Sequence, residues 1–246
     1  FSNQLAQNTI IYNALSRLKD QKNIKTDTQR RIIEAELISM KNKGIGLAED
    51  KKMLFNSRSE RLAELSTIFS NNILDATKTW SLLLTQASEV EGIPERALET
   101  LALAAKEAGD RTKEGKEPTS SLGPWRVGLD MPSYIPFLTY AKSRELREKL
   151  YRAFVSRASD GKFSNKKIIE EILDLRKKQA KQLGYDNWCE VSLSTKMANN
   201  EVAVETLLEE LRLAAIPHAK QELLKLKECA IRNGESNDFK LFPWDL

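Results

Sequence analysis

The stretch from Asp130 to Ala158 reads DMPSYIPFLTYAKSRELREKLYRAFVSRA, and it predicts how this part of the chain folds. Leu146, Leu150 and Phe154 recur at i, i+4 and i+8, which is the spacing of an amphipathic helix with one face toward a core. Ser143 precedes this stripe at the position of an N-cap residue. The segment before it is rich in proline and aromatic residues.

A second helix is predicted directly after this stretch. Asn165 is placed to cap it, and Gly184 follows its last turn at the expected C-terminal position. The stripe between them runs through Ile169, Ile172, Leu173, Arg176 and Leu183. The two helices together predict a helical hairpin, a structure that by itself indicates no function.

The composition is that of a helical protein with solvated outer faces. The 246 residues are 41% apolar and 30% charged, with 10 glycines, 7 prolines and a net charge of +4. No apolar run approaches the ~20 residues needed to span a bilayer. Cys189 and Cys229 lie outside any C-x-x-C spacing, so a reducing compartment is expected rather than a disulfide scaffold. We predict an all-α fold.

Three regions are predicted along the chain: a helical region over 1–108, a loop or insertion over 109–128, and a second helical region over 129–246. The segment 109–124, GDRTKEGKEPTSSLGP, has the glycine, proline and charge content of a loop. Trp125 to Leu129 is the best strand candidate.

Five further helices are predicted from periodicity and capping residues. They cover about 1–19, with Phe1 on the apolar side, a helix capped by Asp27 or Thr28, a long helix from about Glu49 to Ala87, a helix starting near Asn199 or Asn200, and another starting near Pro217. A short helix is also expected after Pro94.

Many ordered motifs resemble one known family. They are LDMPSYIP (129–136), RELREKLYRA (144–153), SRAS (156–159), the run 168–175, QLGY (182–185) and SLSTKMA (192–198). FSNQL (1–5), GIGL (44–47) and SNNILDAT (70–77) precede them, and PWD (243–245) follows. Together these segments resemble the oligopeptidase A and thimet oligopeptidase family of zinc metallopeptidases, with the oligopeptidase A members most similar.

The resemblance implies a nearly all-helical enzyme whose two halves enclose a narrow channel for short peptides. The family holds zinc on His-Glu-x-x-His and a further glutamate, and the motif's glutamate acts as general base. The only histidine here is His218, which Ala219 and Lys220 follow. We therefore predict no catalytic, cofactor-binding or metal-binding residue in this chain, and no zinc bound to it.

The expected role is that of an N-terminal, channel-wall portion of a zinc oligopeptidase, inactive alone, with both chain ends as cuts. Its expected partners are short peptides, in the parent enzyme, and the missing C-terminal catalytic half, but neither nucleic acid nor membrane. The expected compartment is the cytoplasm, or a mitochondrion or chloroplast if a transit peptide is missing. A non-enzymatic scaffold that binds a partner in a groove is the alternative, and a nucleic-acid-binding helical protein is a second rival.

Four sets of residues are candidate sites. His218 with Glu222 has the spacing of an intrahelical pair more than of a metal site. The second set, read as a solvated face rather than acid–base carboxylates, is Glu170, Glu171, Asp174 and Arg176. The third set is a basic stripe that Glu145 and Glu148 interrupt. Instead of a phosphate site, we expect an intrahelical Glu145–Lys149 pair, and arginines that hold helix ends or the facing half of the parent enzyme. Its members are Lys142, Arg144, Arg147, Lys149, Arg152 and Arg157. The fourth, read as core with Tyr134 or Tyr140 as alternative channel residues, is Tyr134, Phe137, Tyr140, Tyr151 and Phe154.

Overall fold

The computed structural model describes residues 5–20 and 26–246, and 68% of these described residues are helical. The helices described are α1 Thr9–Asp20, α2 Asp27–Asn42, α3 Glu49–Thr79, α4 Glu95–Glu107, α5 Met131–Tyr140, α6 Arg144–Val155, α7 Lys166–Gln182, α8 Trp188–Leu193 and α9 Glu201–Arg232. The strands described are β1 Ser81–Leu84 and β2 Trp125–Gly128, which pair antiparallel. The all-α prediction is confirmed. Phe1, predicted on the apolar side of the first helix, lies outside the described residues.

The chain forms two compact units. The first contains residues up to Thr67 together with Ile168–Pro217, and the second contains Ile68–Lys167 together with His218–Leu246. In the first unit, α7 lies against α3, because the buried Gln179 donates hydrogen bonds from Nε2 to Ser59 Oγ at 2.7 Å and to the Phe55 carbonyl at 3.3 Å. The regions predicted with boundaries at 108 and 128 stay a prediction.

The second unit has a well-defined apolar core. The strand pair and helices α4 to α6 contribute to it, and its largest fully buried side chains are Leu84, Leu101, Val127, Leu129, Phe137 and Leu150. Alternation along β2 buries Trp125 and Val127 on the side that faces this core. The predicted strand at 125–129 is therefore confirmed as β2. Its alternate side chains complete the apolar core, which accounts for a short sheet in a mainly helical chain.

The two helices predicted over this stretch are present as α6 and α7, but one predicted cap differs. Ser143 Oγ accepts from the Leu146 N–H, and Gly184 ends α7 with a φ of +88°, a conformation that glycine adopts without steric cost. Asn165 does not cap α7. Its buried side chain instead donates to the Phe69 carbonyl of α3 and accepts from Asn72, because these partners satisfy it inside the unit.

Two predicted helix boundaries are wrong. The long helix ends at Thr79 rather than near Ala87, because Ser81–Leu84 pairs with β2 and gains strand hydrogen bonds from a segment over forty residues away. The two helices expected on either side of Pro217 form one helix, α9. Proline removes one i to i−4 hydrogen bond, and the strong helix formers around it carry the helix through.

The loop predicted at 109–124 is anchored at one side and exposed in the middle. Asp110 accepts two hydrogen bonds of 2.8 Å from Arg126, whereas residues 113–117 are exposed.

We expect limited trypsin digestion to cut first at Arg111, Lys113 or Lys116, because exposed loops admit a protease most readily. Mass spectrometry of the first products checks this, and a first cut within 143–183 would contradict it.

Candidate functional site

Helix α9 has apolar residues on every side, and none of its 32 residues is buried. Leu208 is 60% exposed and Leu224 is 62% exposed. The other large apolar residues exposed along it are Val202, Leu207, Leu211, Leu213, Ile216, Leu223 and Leu226. A surface helix of a globular protein normally has its apolar residues on one face, toward the core, whereas α9 exposes large apolar residues around its whole circumference. The surface of α9 therefore has the character of a contact surface.

A groove lies along the C-terminal part of α9, within the second unit. Its volume is about 670 Å³. One wall is a row of α9 at i, i+3, i+4 and i+7, formed by Lys220, Leu223, Leu224 and Lys227, and the other wall is the segment 239–242. We call this feature the α9 groove. Its walls are mainly apolar, with lysines at the margins.

The far wall of the α9 groove is held by a buried carboxylate. Asp245 is 4% exposed in its side chain and accepts from Arg144 Nε at 2.9 Å and Arg144 Nη2 at 2.7 Å. Arg147 Nη2 donates to the same carboxylate at 3.2 Å, and Arg147 Nε donates to the Trp244 carbonyl at 2.8 Å. We call Arg144, Arg147 and Asp245 the Asp245 latch. It ties the 239–246 segment to helix α6.

The latch keeps Asp245 ionised. Burial alone would raise the pKa of this carboxyl, but hydrogen bonds from Arg144, the Phe242 N–H and Arg147 outweigh burial and hold the pKa below its ordinary value. The Arg144 guanidinium, whose pKa the Asp245 hydrogen bond raises, also lies 4.8 Å from the Phe239 ring centroid. The same guanidinium lies 5.5 Å from the Phe242 ring centroid, so one arginine contacts both ends of the 239–242 wall.

The aromatic residues predicted as core are mostly core. Phe137 and Tyr134 are buried, and the Tyr134 ring stacks on Phe154 with centroids 4.0 Å apart. Burial raises the pKa of Tyr134 above its ordinary value. Tyr151 lies against Trp244 with centroids 5.7 Å apart, whereas Tyr140 is half exposed. A channel role for Tyr134 or Tyr140 stays a prediction.

The carboxylates considered for acid–base chemistry do not form a cleft pair. Glu171 receives two hydrogen bonds from Arg61, at 2.6 and 2.9 Å, and these lower its pKa. Asp174 pairs with Lys178 at 2.6 Å one turn along α7. Its lowered pKa makes Glu171 a poor general acid. Glu170, Asp174 and Arg176 are exposed, as expected for a solvated face.

The basic residues considered for phosphate binding are largely engaged within the second unit. Arg144 and Arg147 belong to the latch, and Lys142 pairs with Glu91 at 2.7 Å. Arg152 pairs with Glu148, and Arg157 donates to the Phe154 carbonyl while its guanidinium lies 3.6 Å from the Phe154 ring centroid. This arrangement uses the positive charges for internal contacts.

The residues of this chain do not fit the zinc centre that the resemblance implies. His218 is exposed on α9, and Cys189 and Cys229 are exposed free thiols. Across residues 5–20 and 26–246, no group of three or more His, Cys, Asp or Glu side chains is arranged to hold a metal ion. Two imidazole ligands cannot come from a sequence with one histidine.

Comparison with known proteins decides the family. Residues 137–246 match the model of peptidase family M3. Over its whole length the chain is 42% identical to a probable cytosolic oligopeptidase A of Arabidopsis thaliana, 40% identical to an organellar oligopeptidase A of the same plant, and 37% identical to oligopeptidase A of Escherichia coli. Residues 137–246 belong to peptidase family M3. The whole chain covers 34%, 30% and 35% of those three relatives, respectively.

The α9 groove lies within the part of the chain that belongs to family M3, and the sequence did not reveal it. The sequence predicts a separate helix starting near Pro217, and Lys220 enters that prediction only as a neighbour of His218. The i, i+3, i+4, i+7 spacing of the row is a signal that the sequence does contain. None of the helices in the described part of the chain is long and apolar enough to cross a membrane.

Proposed function

We propose that this chain is a non-catalytic, channel-wall portion of a peptidase of family M3 that hydrolyses short peptides. The observation that supports this most directly is helix α9, which exposes large apolar side chains on all sides and requires more polypeptide to cover it. Similarity over the whole of this chain to about a third of proteins named oligopeptidase A supports peptides as the substrate class.

In this proposal the chain contributes to peptide positioning and size selection, and bond cleavage takes place elsewhere in the enzyme. The zinc implied by the family would be held by residues outside these 246, because the residues present do not fit it. We propose a cytoplasmic location, with an organelle as the alternative, since the names of the two plant relatives specify one each.

The test compares the 246-residue chain with a version extended to the length of its relatives. A quenched fluorescent peptide of roughly ten residues is short enough for a confined site. We expect cleavage by the extended protein, loss of cleavage with a chelator, and none by the 246-residue chain. Activity of the pure 246-residue chain would contradict the non-catalytic role. An inactive extended protein, supplied with zinc, would favour a scaffold that binds a partner.

A substitution in α9 tests the buried contact surface separately. Leu211 is 57% exposed in this chain, so Leu211→Glu should change its free energy of unfolding by less than about 0.5 kcal/mol. In the extended enzyme the same change should lower activity at least tenfold, because a charge would be buried against another segment. Lys113→Glu in the exposed loop is the matched control and should leave activity unchanged. Equal activity of the Leu211→Glu and Lys113→Glu enzymes would contradict the proposal.

A further inference from the structure

The α9 groove has a chemistry that specifies what can fill it. Leu223 and Leu224 lie in the middle of its helical wall, and Lys220 and Lys227 lie at the two ends, roughly 10 Å apart along the helix axis. Lys240 adds a third positive charge on the opposite wall, between Phe239 and Leu241. The helical wall of the groove therefore presents an apolar surface between two positively charged ends.

In the described part of the chain, the ammonium groups of these three lysines are not paired with a carboxylate. Among the residues that the structure describes, no carboxylate lies within ion-pairing distance of Lys220, Lys227 or Lys240. Other lysines of the second unit do have such partners, as Lys142 has with Glu91 and Lys106 with Glu117. An occupant with carboxylates at matching positions would gain both apolar contact and charge pairing.

We propose that the α9 groove receives an acidic amphipathic helix with the pattern Glu-x-x-Leu-Leu-x-x-Glu. Its two leucines would pack on Leu223 and Leu224, and its two glutamates would pair with Lys220 and Lys227. The pattern is the same in both directions, so a helix parallel to α9 and a helix antiparallel to it would present the same residue types to the groove. Helix-in-groove docking of this kind uses anchors at i, i+3, i+4 and i+7, which is the spacing of the row on α9.

The occupant comes from the remaining part of the same enzyme, and in this respect the inference rests on the proposed function. The chain spans about a third of the length of its relatives, so about two thirds of such a protein is available to supply the helix. The Asp245 latch supports the inference, because it holds the 239–242 wall in place before any occupant arrives. A preformed wall lowers the ordering cost of binding.

The test uses the 246-residue chain and a lactam-bridged helical peptide carrying Glu-x-x-Leu-Leu-x-x-Glu, followed by fluorescence anisotropy. Lys220→Glu should weaken binding at least about tenfold, because an attractive pair becomes a repulsive one. Lys225→Glu is the matched control, since Lys225 is five residues further along α9 and points about 140° away from Lys220. It should change affinity by less than about twofold.

A charge swap makes the test specific. A peptide with both glutamates replaced by lysine should bind the Lys220→Glu, Lys227→Glu variant more tightly than it binds the unchanged chain. Equal binding of acidic and basic peptides to the unchanged chain would overturn the proposal, as would equal effects of Lys220→Glu and Lys225→Glu. Concentration-dependent dimerisation that the Leu223→Ala variant abolishes would also overturn it, by assigning the groove to a second copy. Peptidase activity of the extended enzyme is measured independently, so its failure and the failure of this proposal are distinguishable.

Discussion

Replacing Asp245 with alanine is expected to lower the free energy of unfolding of the 246-residue chain by about 3 kcal/mol. The carboxylate is 4% exposed and accepts hydrogen bonds from Arg144, Arg147 and the Phe242 N–H. Its removal leaves Arg147, which is 17% exposed, without the carboxylate that compensates its burial. Urea unfolding followed by tryptophan fluorescence measures the effect, and Trp244 next to the latch reports on it.

The control for this substitution is an ion pair of the same residue type on the surface. Asp174 is 52% exposed and pairs with Lys178 one helical turn away, so Asp174→Ala should cost less than about 0.5 kcal/mol. If Asp245→Ala and Asp174→Ala have equal effects, the latch does not stabilise the fold in the way that its burial indicates.

The contribution of Asp245 should also depend on pH in one direction. Its pKa is lowered on folding, so the stabilisation is fully present above the pKa of the unfolded chain, about 3.9, and is lost as pH falls through the folded-state pKa. The difference in stability between the unchanged chain and Asp245→Ala should be constant between about pH 5 and 7. It should shrink below about pH 4. A difference that grows on acidification would contradict this.

Replacing Phe137 with alanine is expected to have an even larger effect, a loss of about 3 to 5 kcal/mol in the free energy of unfolding. Phe137 has no exposed surface and lies in the core of the second unit with Leu84, Val127 and Leu150. Truncation to a methyl group removes the transfer free energy of the ring and leaves a cavity in a close-packed interior. Urea unfolding, together with near-UV circular dichroism of the native state, measures the loss.

The same helix supplies the control for Phe137. Ile135 is 51% exposed on α5, so Ile135→Ala should change stability by less than about 0.5 kcal/mol. If Phe137→Ala also lowered the free energy of unfolding by less than about 0.5 kcal/mol, the second unit would tolerate a cavity at this position. The assignment of its core would then be wrong.

The local features of the helices could be predicted from the sequence alone. The stripe of Leu146, Leu150 and Phe154, the cap at Ser143 and the stop at Gly184 each depend on residues within one or two helical turns. Such signals act through neighbouring backbone groups, so a sequence pattern contains all the information that they need. The absence of a second histidine, which bears on metal binding, is also a property of the sequence itself.

Other features depend on contacts between distant segments. The helix from Glu49 ends at Thr79 because β1 pairs with Trp125–Gly128, and Asn165 turns away from its own helix to bond Phe69 and Asn72. Periodicity within one segment cannot reveal these partners, because the competing hydrogen bonds come from a different part of the chain.

The candidate site shows the same division between local pattern and tertiary contact. The sequence by itself places Lys220, Leu223, Leu224 and Lys227 on one face of a helix, because 3.6 residues per turn bring i, i+3, i+4 and i+7 together. Only the tertiary structure shows that the 239–242 segment forms the opposite wall of a groove. That wall is positioned by Arg144 and Arg147 reaching Asp245 across about a hundred residues of sequence, and no local spacing encodes so distant a pair.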